Sequence, residues 1–321
     1  MRQVIAVDMG GTNIRAARVD ATGVILARHT VPTPASASVE IGLDALTEAI
    51  SAVRDGSEDA AAIACPGPLD TVRGTLVSPP QLPAWRDVPL ERLLEERLLL
   101  PTHIINHASA AALGEWTFGA GRGTAHMVYI IAGTGIGGGA VAHGTLIEGR
   151  AGMALEFGHT CLDPHGPICG CGLLGCVEAY SAGAGITRRA HEAIARGEGA
   201  GITEAAAGEA ITGESVARAA RTGDAAAVQI IATAGEMLGV GVANLLHLFD
   251  TEKVVIGGGM TRMGPRYWEP FMIAIARHTL LPYAGVPIVF SELGDNAGLL
   301  GAASRALILR SDALHTSNAM P

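Results

Sequence analysis

Cys169, Cys171 and Cys176 stand as C-x-C-x4-C inside the stretch Glu156 to Glu178, with glycines at 170, 172 and 175. Glycine admits positive φ, so a short loop of this kind can turn three thiolates toward one point. His159, upstream of the cysteines, completes a Cys3His set, a usual composition for tetrahedral structural zinc. The competing chemistry is a disulfide in an exported loop. It does poorly, because Met1-Arg2-Gln3 and the short apolar run behind them do not have the pattern of a signal peptide. Outside an oxidising compartment, clustered cysteines point to metal or redox chemistry. Glu156 and Glu178 flank the cluster. A loop that only held the fold together would not need them, so the metal loop is expected to support something polar.

Three glycine clusters suggest phosphate and nucleotide chemistry. Gln3 to Asp8 is a short apolar run that enters Met9-Gly10-Gly11-Thr12-Asn13 and leaves through Ile14 to Val19. A glycine turn between strands lets backbone N–H groups approach a phosphate, and Thr12 adds a hydroxyl. Asp8, at the carboxyl end of its strand, can hold Mg²⁺ directly or through water. Taken alone, the same residues also describe an ordinary hairpin with an exposed Asp. Met127 to Ala132 repeats the design, entering Gly133-Thr134-Gly135-Ile136 before another apolar run. Two G-T-x-I units, at Gly11 and at Gly133, imply a duplicated fold with two phosphate loops. Lys253 to Ile256 then enters Gly257-Gly258-Gly259, which leaves room for a flat group such as adenine.

The elements that position these residues can be placed from periodicity. Strands are expected at 3–8, 14–19, 24–27, 103–105, 127–132, 140–142, 253–256 and 287–290. Helical spacing marks Leu43, Leu46, Ile50 and Val53, the run Leu90 to Leu100 stopped by Pro101, and His107 to Phe118. Asn106 and His107 thus fall at a strand–helix junction, where α/β folds place ligand groups. Residues 184–222 read as helices with short breaks and no chemistry, a solvated cap. Val228, Ile231, Leu238, Val242 and Leu245 mark a long buried helix, residues 296–310 a terminal one, and the last ten residues a frayed tail.

Composition bounds the rest. The chain has 321 residues, 49% of them apolar, enough for two domains with large cores. A formal charge of −9 disfavours nucleic acid or an acidic membrane surface as partner. Long unbroken apolar runs are missing, so no membrane-spanning helix is expected and a cytoplasmic location is.

Taken together these motifs resemble the ROK family of repressors and kinases, and within it the bacterial ATP-dependent glucokinases. The resemblance rests on Asp8-x-Gly10-Gly11-Thr12-x-x-Arg15, Pro66-Gly67-Pro68, Leu82-Pro83-x-Trp85, Gly133-Thr134-Gly135-x-Gly137, Glu156-x-Gly158-His159, Cys169-x-Cys171-Gly172-x-x-Gly175-Cys176-x-Glu178, and Gly257-Gly258-Gly259. It implies an α/β, two-domain actin-like ATPase (ribonuclease H-like) fold with an active-site cleft between domains and a zinc-binding loop. The expected small domain is residues 1–115, completed by the C-terminal helix at about 296–312. The large one is residues 116–295, with the zinc loop at 156–178 and a helical segment at 184–248.

The resemblance further implies zinc on His159, Cys169, Cys171 and Cys176. It implies sugar bound by Gly67, Asn106, Glu156, His159 and Glu178, ATP with Mg²⁺ at the glycine loops, and a homodimer. The reaction expected is transfer of the ATP γ-phosphoryl to a hexose hydroxyl, with glucose giving glucose 6-phosphate. Other hexoses, and polyphosphate as donor, stay open.

One position departs from the family pattern. An Asp general base is expected directly after Asn106, and this chain has His107 there. A neutral imidazole can take a proton from a hydroxyl, but it does not copy a carboxylate's charge or its two acceptors. His107 is therefore either the base of an active kinase or the mark of an impaired homologue that still binds sugar and nucleotide. A DNA-binding repressor does not fit, since the first strand starts at Gln3. Cys65, Cys161, His165 and the three tryptophans are expected to be packing residues or bystanders.

Overall fold

The computed structural model describes residues 2–317, with side chains as far as residue 308. The elements in chain order are β1 (Gln3–Met9), β2 (Asn13–Asp20), β3 (Ile25–Pro32), α1 (Val39–Ser51), β4 (Glu58–Cys65), β5 (Leu69–Asp70), β6 (Thr75–Leu76), α2 (Leu90–Leu98), β7 (Thr102–Asn106) and α3 (His107–Phe118). There follow β8 (Met127–Ala132), β9 (Ile136–Ala142), β10 (Thr145–Leu146), α4 (Val177–Ser181), α5 (Gly183–Ala195), α6 (Ala200–Ala206), α7 (Gly213–Thr222), α8 (Ala225–Phe249), β11 (Lys253–Gly257), α9 (Pro265–His278), β12 (Ile288–Phe290) and α10 (Ala297–Ser317). The expected tail is thus helical through Ser317, and its last four residues lie outside the described residues.

The chain divides into two compact units. The first is Met1–Ala125, Gly139–Ala154 and Ser291–Pro321, and the second is His126–Gly138 and Leu155–Phe290. The division differs from a single boundary after residue 115. Residues 116–125 are joined to the first unit through Glu115, which sits at the end of α3 and accepts a hydrogen bond from Ala120 N at 2.9 Å. The segment 139–154 belongs there too, with Thr71 N donating to the Ala151 carbonyl at 3.2 Å.

In the first unit the sheet order is β3-β2-β1-β4-β7. β1, β2 and β3 form an antiparallel meander, while β1, β4 and β7 run parallel. Strand alternation splits the side chains between two cores. Ile5, Val7 and Met9 of β1 join Ala61, Ile63 and Cys65 of β4 beneath Leu43, Leu46 and Ile50 of α1 and Leu90, Leu94 and Leu98 of α2. Val4 and Ala6 join Ala60, Ala62 and Ala64 against Ala110 and Leu113 of α3 and Leu299, Ala302, Ala303 and Ala306 of α10. Each large aliphatic side chain buried this way contributes roughly 1.5–3 kcal/mol. The second core is built from alanines because α3 and α10 pack closely: a Cβ on Gly301 would overlap the Ala110 carbonyl. Parallel pairing aligns the carboxyl ends of the central strands, with Asp8 opposite Ala64 and Cys65 opposite Asn106.

The second sheet has the order β10-β9-β8-β11-β12, with β8, β11 and β12 parallel. The order mirrors the first sheet strand for strand, as the two G-T-x-I turns suggested. Helix α8 is long and apolar enough to cross a bilayer by length and composition alone, which the residue pattern did not anticipate. Half of its most apolar window is buried, with Ile231, Leu238 and Val242 fully enclosed. It packs against α4, α7 and α9 as a core helix.

Candidate active site

Each unit carries its own set of functional side chains. In the first, β7 delivers Asn106 and α3 starts at His107. Asn106 is the N-cap of α3: its Oδ1 accepts from Ala108 N at 2.8 Å and from Ser109 N at 3.4 Å. That use of the oxygen fixes the rotamer and leaves the Nδ2 amide as a donor to a ligand. Gly67 sits beside it, and a Cβ there would stand 3.3 Å from Asn106 Nδ2 and 3.0 Å from the Met153 Sδ-methyl carbon. Met153 is an addition to the neighbourhood that its sequence context did not signal.

His107 is about one-third exposed. Its Nε2 lies 3.0 Å from the Met9 carbonyl and 3.3 Å from Asp8 Oδ1. Asp8 Oδ2 in turn accepts from Arg15 Nη2 at 2.6 Å, and Arg15 Nη1 donates to the Asp295 carbonyl at 3.2 Å. Burial alone would push the Asp8 carboxyl up. The hydrogen bond and charge of His107, with the Arg15 guanidinium, outweigh it and hold the group below the usual carboxylate range. Asp8 therefore stays ionised. Gly10, Gly11 and Thr12 form the turn that follows, closed by Gly10 N donating to the Asn13 carbonyl at 2.9 Å. Gly11 and Thr12 are exposed.

In the second unit the turn Gly133-Thr134, the start of α5 at Gly183, the start of α7 at Gly213, and Gly259-Met260 after β11 enclose a cavity of about 1040 Å³. The turn is tied to α5 through Gly183 N donating to the Gly133 carbonyl at 2.9 Å and Ala184 N to the Thr134 carbonyl at 3.2 Å. Two helices of ten or more residues open at this wall, and helix N-termini favour phosphate. Gly258 makes the tight exit from β11: its φ is +87° and a Cβ would overlap the Ala132 carbonyl. Gly259 lines the cavity, whereas Gly257 is buried in the strand and Gly135 faces Glu178.

Thr187, His191, Thr212 and Arg221 also line the cavity. The stretch 184–222, expected to be a solvated cap, thus forms part of the cavity wall. The composition of this stretch is that of any solvated helix. The usable signal was Thr212 beside Gly213, a helix start whose capping box turns its N–H groups to one side. Arg188 is committed to the Ala179 carbonyl at 3.2 Å and to Glu192, but Arg221 and Arg262 have no partner among the described residues.

The cysteine loop folds as its glycines require. Gly175, at φ +65°, lies against the Asp163 backbone with no room for a Cβ. The ligand atoms of His159, Cys169, Cys171 and Cys176 all lie within 4.8 Å of one another. Cys171 Sγ and Cys176 Sγ are 3.8 Å apart, and Cys169 Sγ is 3.8 Å from His159 Nδ1. A tetrahedral zinc with Zn–S near 2.3 Å sets S···S edges of about 3.8 Å, so the set fits that ion. Burial and the neighbouring thiols push Cys176 up to about 12, so without a cation its thiol stays protonated; a bound metal would favour the thiolate. His159 meets the cluster through Nδ1, which leaves Nε2 for another partner. Cys161 and His165 are outside the cluster.

Glu178 links this loop to the phosphate turn. Its Oε2 accepts from Ile136 N at 2.9 Å, and its Oε1 lies 3.5 Å from Cys169 Sγ. Glu156 is exposed at the loop's start. Its carboxyl is raised by desolvation, lowered by His159 and raised again by Glu178.

A glycine-walled cavity with two helix N-termini in one unit, and a carboxylate–imidazole pair beside a capping Asn in the other, are features suited to phosphoryl transfer. The ROK family profile matches residues 4–308, and the chain belongs to that family. Glucokinase from Thermotoga maritima is 36% identical over 305 residues, covering 94% of this chain and 96% of that protein. The structure of the ROK hexokinase from Thermus thermophilus superposes with a TM-score of 0.85 at 36% identity, covering 97% of this chain and 99% of the other. A ROK family glucokinase from Streptomyces griseus in complex with glucose and AMPPNP gives 0.77 at 35% identity, covering 95% and 99%. The α/β fold with mixed sheets is that of ROK sugar kinases.

Proposed function

We propose that this sugar kinase transfers the γ-phosphoryl group of ATP to glucose, giving glucose 6-phosphate. The observation that supports ATP is the 1040 Å³ cavity, whose walls are a Gly-Thr turn, two helix starts and the glycine exit of β11. Glucose is supported by the likeness to the Streptomyces griseus enzyme. Asn106 Nδ2 beside Gly67 in the first unit, and Glu156, His159 Nε2 and Glu178 in the second, each offer a donor or acceptor suited to a sugar hydroxyl. In the first unit Gly11 and Thr12, and in the second Thr134 and Gly135, would offer backbone N–H groups to phosphate; those of Gly10 and Gly133 are taken by the Asn13 and Gly135 carbonyls. Mg²⁺ bound with ATP would neutralise developing phosphate charge; both oxygens of Asp8, the carboxylate expected to meet it, already have protein partners in His107 and Arg15. Zinc would be held by His159, Cys169, Cys171 and Cys176. It would fix the loop and the orientation of the His159 ring without touching the transferred group.

The test is ADP release measured against a panel of hexoses, N-acetylated hexoses and a no-sugar blank, with ATP and with polyphosphate as donor. Glucose with ATP is expected to give the highest kcat/KM. A panel member that exceeds glucose, or a preference for polyphosphate, would overturn this assignment.

A further inference from the structure

We propose that His107 and Asp8 form a carboxylate–imidazole dyad in which Nδ1 of His107 is the general base and Asp8 is its positioning residue. The proposal rests on the kinase function above and adds the atom that takes the proton.

The argument starts from what His107 Nε2 faces. The Met9 carbonyl at 3.0 Å can only accept a hydrogen bond. The Asp8 carboxylate, 3.3 Å away and paired with Arg15 at 2.6 Å, can also only accept. Two acceptors on one ring nitrogen require that nitrogen to carry the proton. The neutral ring is then the Nε2–H tautomer, and the lone pair is on Nδ1. Nδ1 has no hydrogen-bond partner among the described residues, and the side chain is about one-third exposed, so its lone pair is open to a ligand. Asp8 is itself held from behind by Arg15 at 2.6 Å, and Arg15 by the Asp295 carbonyl. These contacts fix the ring plane from the end of β1.

The chemistry balances. The substrate hydroxyl gives its proton to Nδ1 as its oxygen forms the new bond to the γ-phosphorus. The bond from that phosphorus to the β-bridging oxygen breaks, and ADP leaves with the electron pair. His107 becomes imidazolium, whose Nε2–H then faces a carboxylate, and the proton passes to solvent after product release. The imidazole contributes the basic atom and Asp8 contributes the negative charge.

The tautomer can be observed without substrate. Long-range ¹H–¹⁵N spectra of histidine-labelled protein at mildly alkaline pH, with His107 assigned by the signal lost in His107→Gln, are expected to show one state protonated at Nε2. A proton on Nδ1, or an even mixture, overturns the dyad. In Asp8→Asn the Met9 carbonyl remains, so the Nε2–H state is expected to stay the larger population but to share with the Nδ1–H state, because an amide can donate as well as accept. A pure Nε2–H state in that variant would remove Asp8 from the proposal.

Kinetics supply the second arm. His107→Gln keeps an N–H that can reach Met9 and Asp8 but lacks the basic nitrogen. It is expected to lower kcat by about 10²–10⁴ with little change in KM for sugar. An unchanged kcat overturns Nδ1 as base. Wild-type protein that phosphorylates no sugar would instead remove the kinase function, and the spectra would still decide whether the dyad exists.

Discussion

Stripping metal from the cysteine loop is expected to unpin it and to weaken sugar binding more than nucleotide binding. Four ligand atoms within 4.8 Å of each other hold the loop at one point. Backbone bonds remain beside it, among them Cys169 N to the Leu173 carbonyl at 2.8 Å, Gly175 N to the Pro167 carbonyl at 2.9 Å, Leu162 N to the Gly175 carbonyl at 2.8 Å and Val177 N to the Thr160 carbonyl at 3.0 Å, so the loop is expected to loosen and not to unfold outright. A metal that binds only the folded chain stabilises it by about 4 kcal/mol when free metal is roughly a thousandfold above Kd. For domains of roughly 150–250 residues each kcal/mol moves Tm by about 2–4 °C, so chelation should lower Tm by on the order of 10 °C.

Thiol reactivity gives the sharper assay. Among the five cysteines Cys161 and Cys171 are exposed and the other three buried. With metal bound, Cys161 alone should react rapidly with a thiol reagent, and chelation should add Cys171. Cys171→Ser, the least buried ligand, should reproduce the loss of Tm and raise KM for sugar severalfold, with a smaller rise for ATP. Cys171 reacting as fast as Cys161 in untreated protein, with no zinc in elemental analysis, would refute the site. A loss of ATP binding with sugar binding spared would refute its assignment to the sugar side.

Three further outcomes follow from particular contacts. Arg262→Ala, at the wall of the large cavity, removes an unpartnered cation. It should raise KM for ATP by roughly fivefold to tenfold, equivalent to about 1–1.4 kcal/mol, and leave KM for sugar unchanged in steady-state kinetics. Glu115 is fully buried and accepts from Ala120 N and Leu293 N at 2.9 Å, from Glu292 N, and from the Ser291 hydroxyl. Glu115→Ala strands the buried donors and should cost roughly 2–5 kcal/mol in urea unfolding, with faster amide exchange at Leu293. The Asp8 carboxyl is depressed in the folded protein. Its contribution is present above the unfolded value near about 3.9 and is lost as pH falls through the lower folded value. The stability deficit of Asp8→Asn seen by urea unfolding at neutral pH should therefore shrink in acid below that point. A deficit constant to strong acid would contradict the assigned ionisation.

Much of this was legible because it is local. The apolar runs at residues 3–8 and 127–132, the helix stop at Pro101 and the cysteine spacing each depend on neighbours within a few residues, whereas β4 (Glu58–Cys65) was not read from the sequence. Asn106 could be placed at a strand–helix junction for the same reason, and the structure makes it the N-cap of α3. The wall of the large cavity was not legible. Thr187, His191 and Arg221 have the composition of a solvated helix, and only the packing of α5 on the Gly133 turn, with α7 beside it, makes them part of a cavity wall. The segment 139–154 was misplaced likewise, since nothing in its composition says which core it joins.

The same distinction explains why His107 was the hardest residue to interpret. As one position in a motif it is a carboxylate lost, and the loss of a well-placed base costs about 10²–10⁴ in rate. In the fold it stands at the end of β7, one strand removed from β1 across β4, where parallel register aligns the strand ends. That register brings Asp8 to 3.3 Å from the ring. A negative charge is therefore still present beside the base position, supplied by another strand. A substitution judged one residue at a time would count it as missing. The pair can be separated from a mere contact by its asymmetry: replacing Asp8 should give His107 a share of the second tautomer, and replacing His107 should raise the Asp8 carboxyl toward its ordinary value, since His107 is a leading cause of its depression. A carboxyl that stays depressed in His107→Gln through its remaining N–H, but rises in His107→Ala, would show that the hydrogen bond at Nε2 is what joins the two residues.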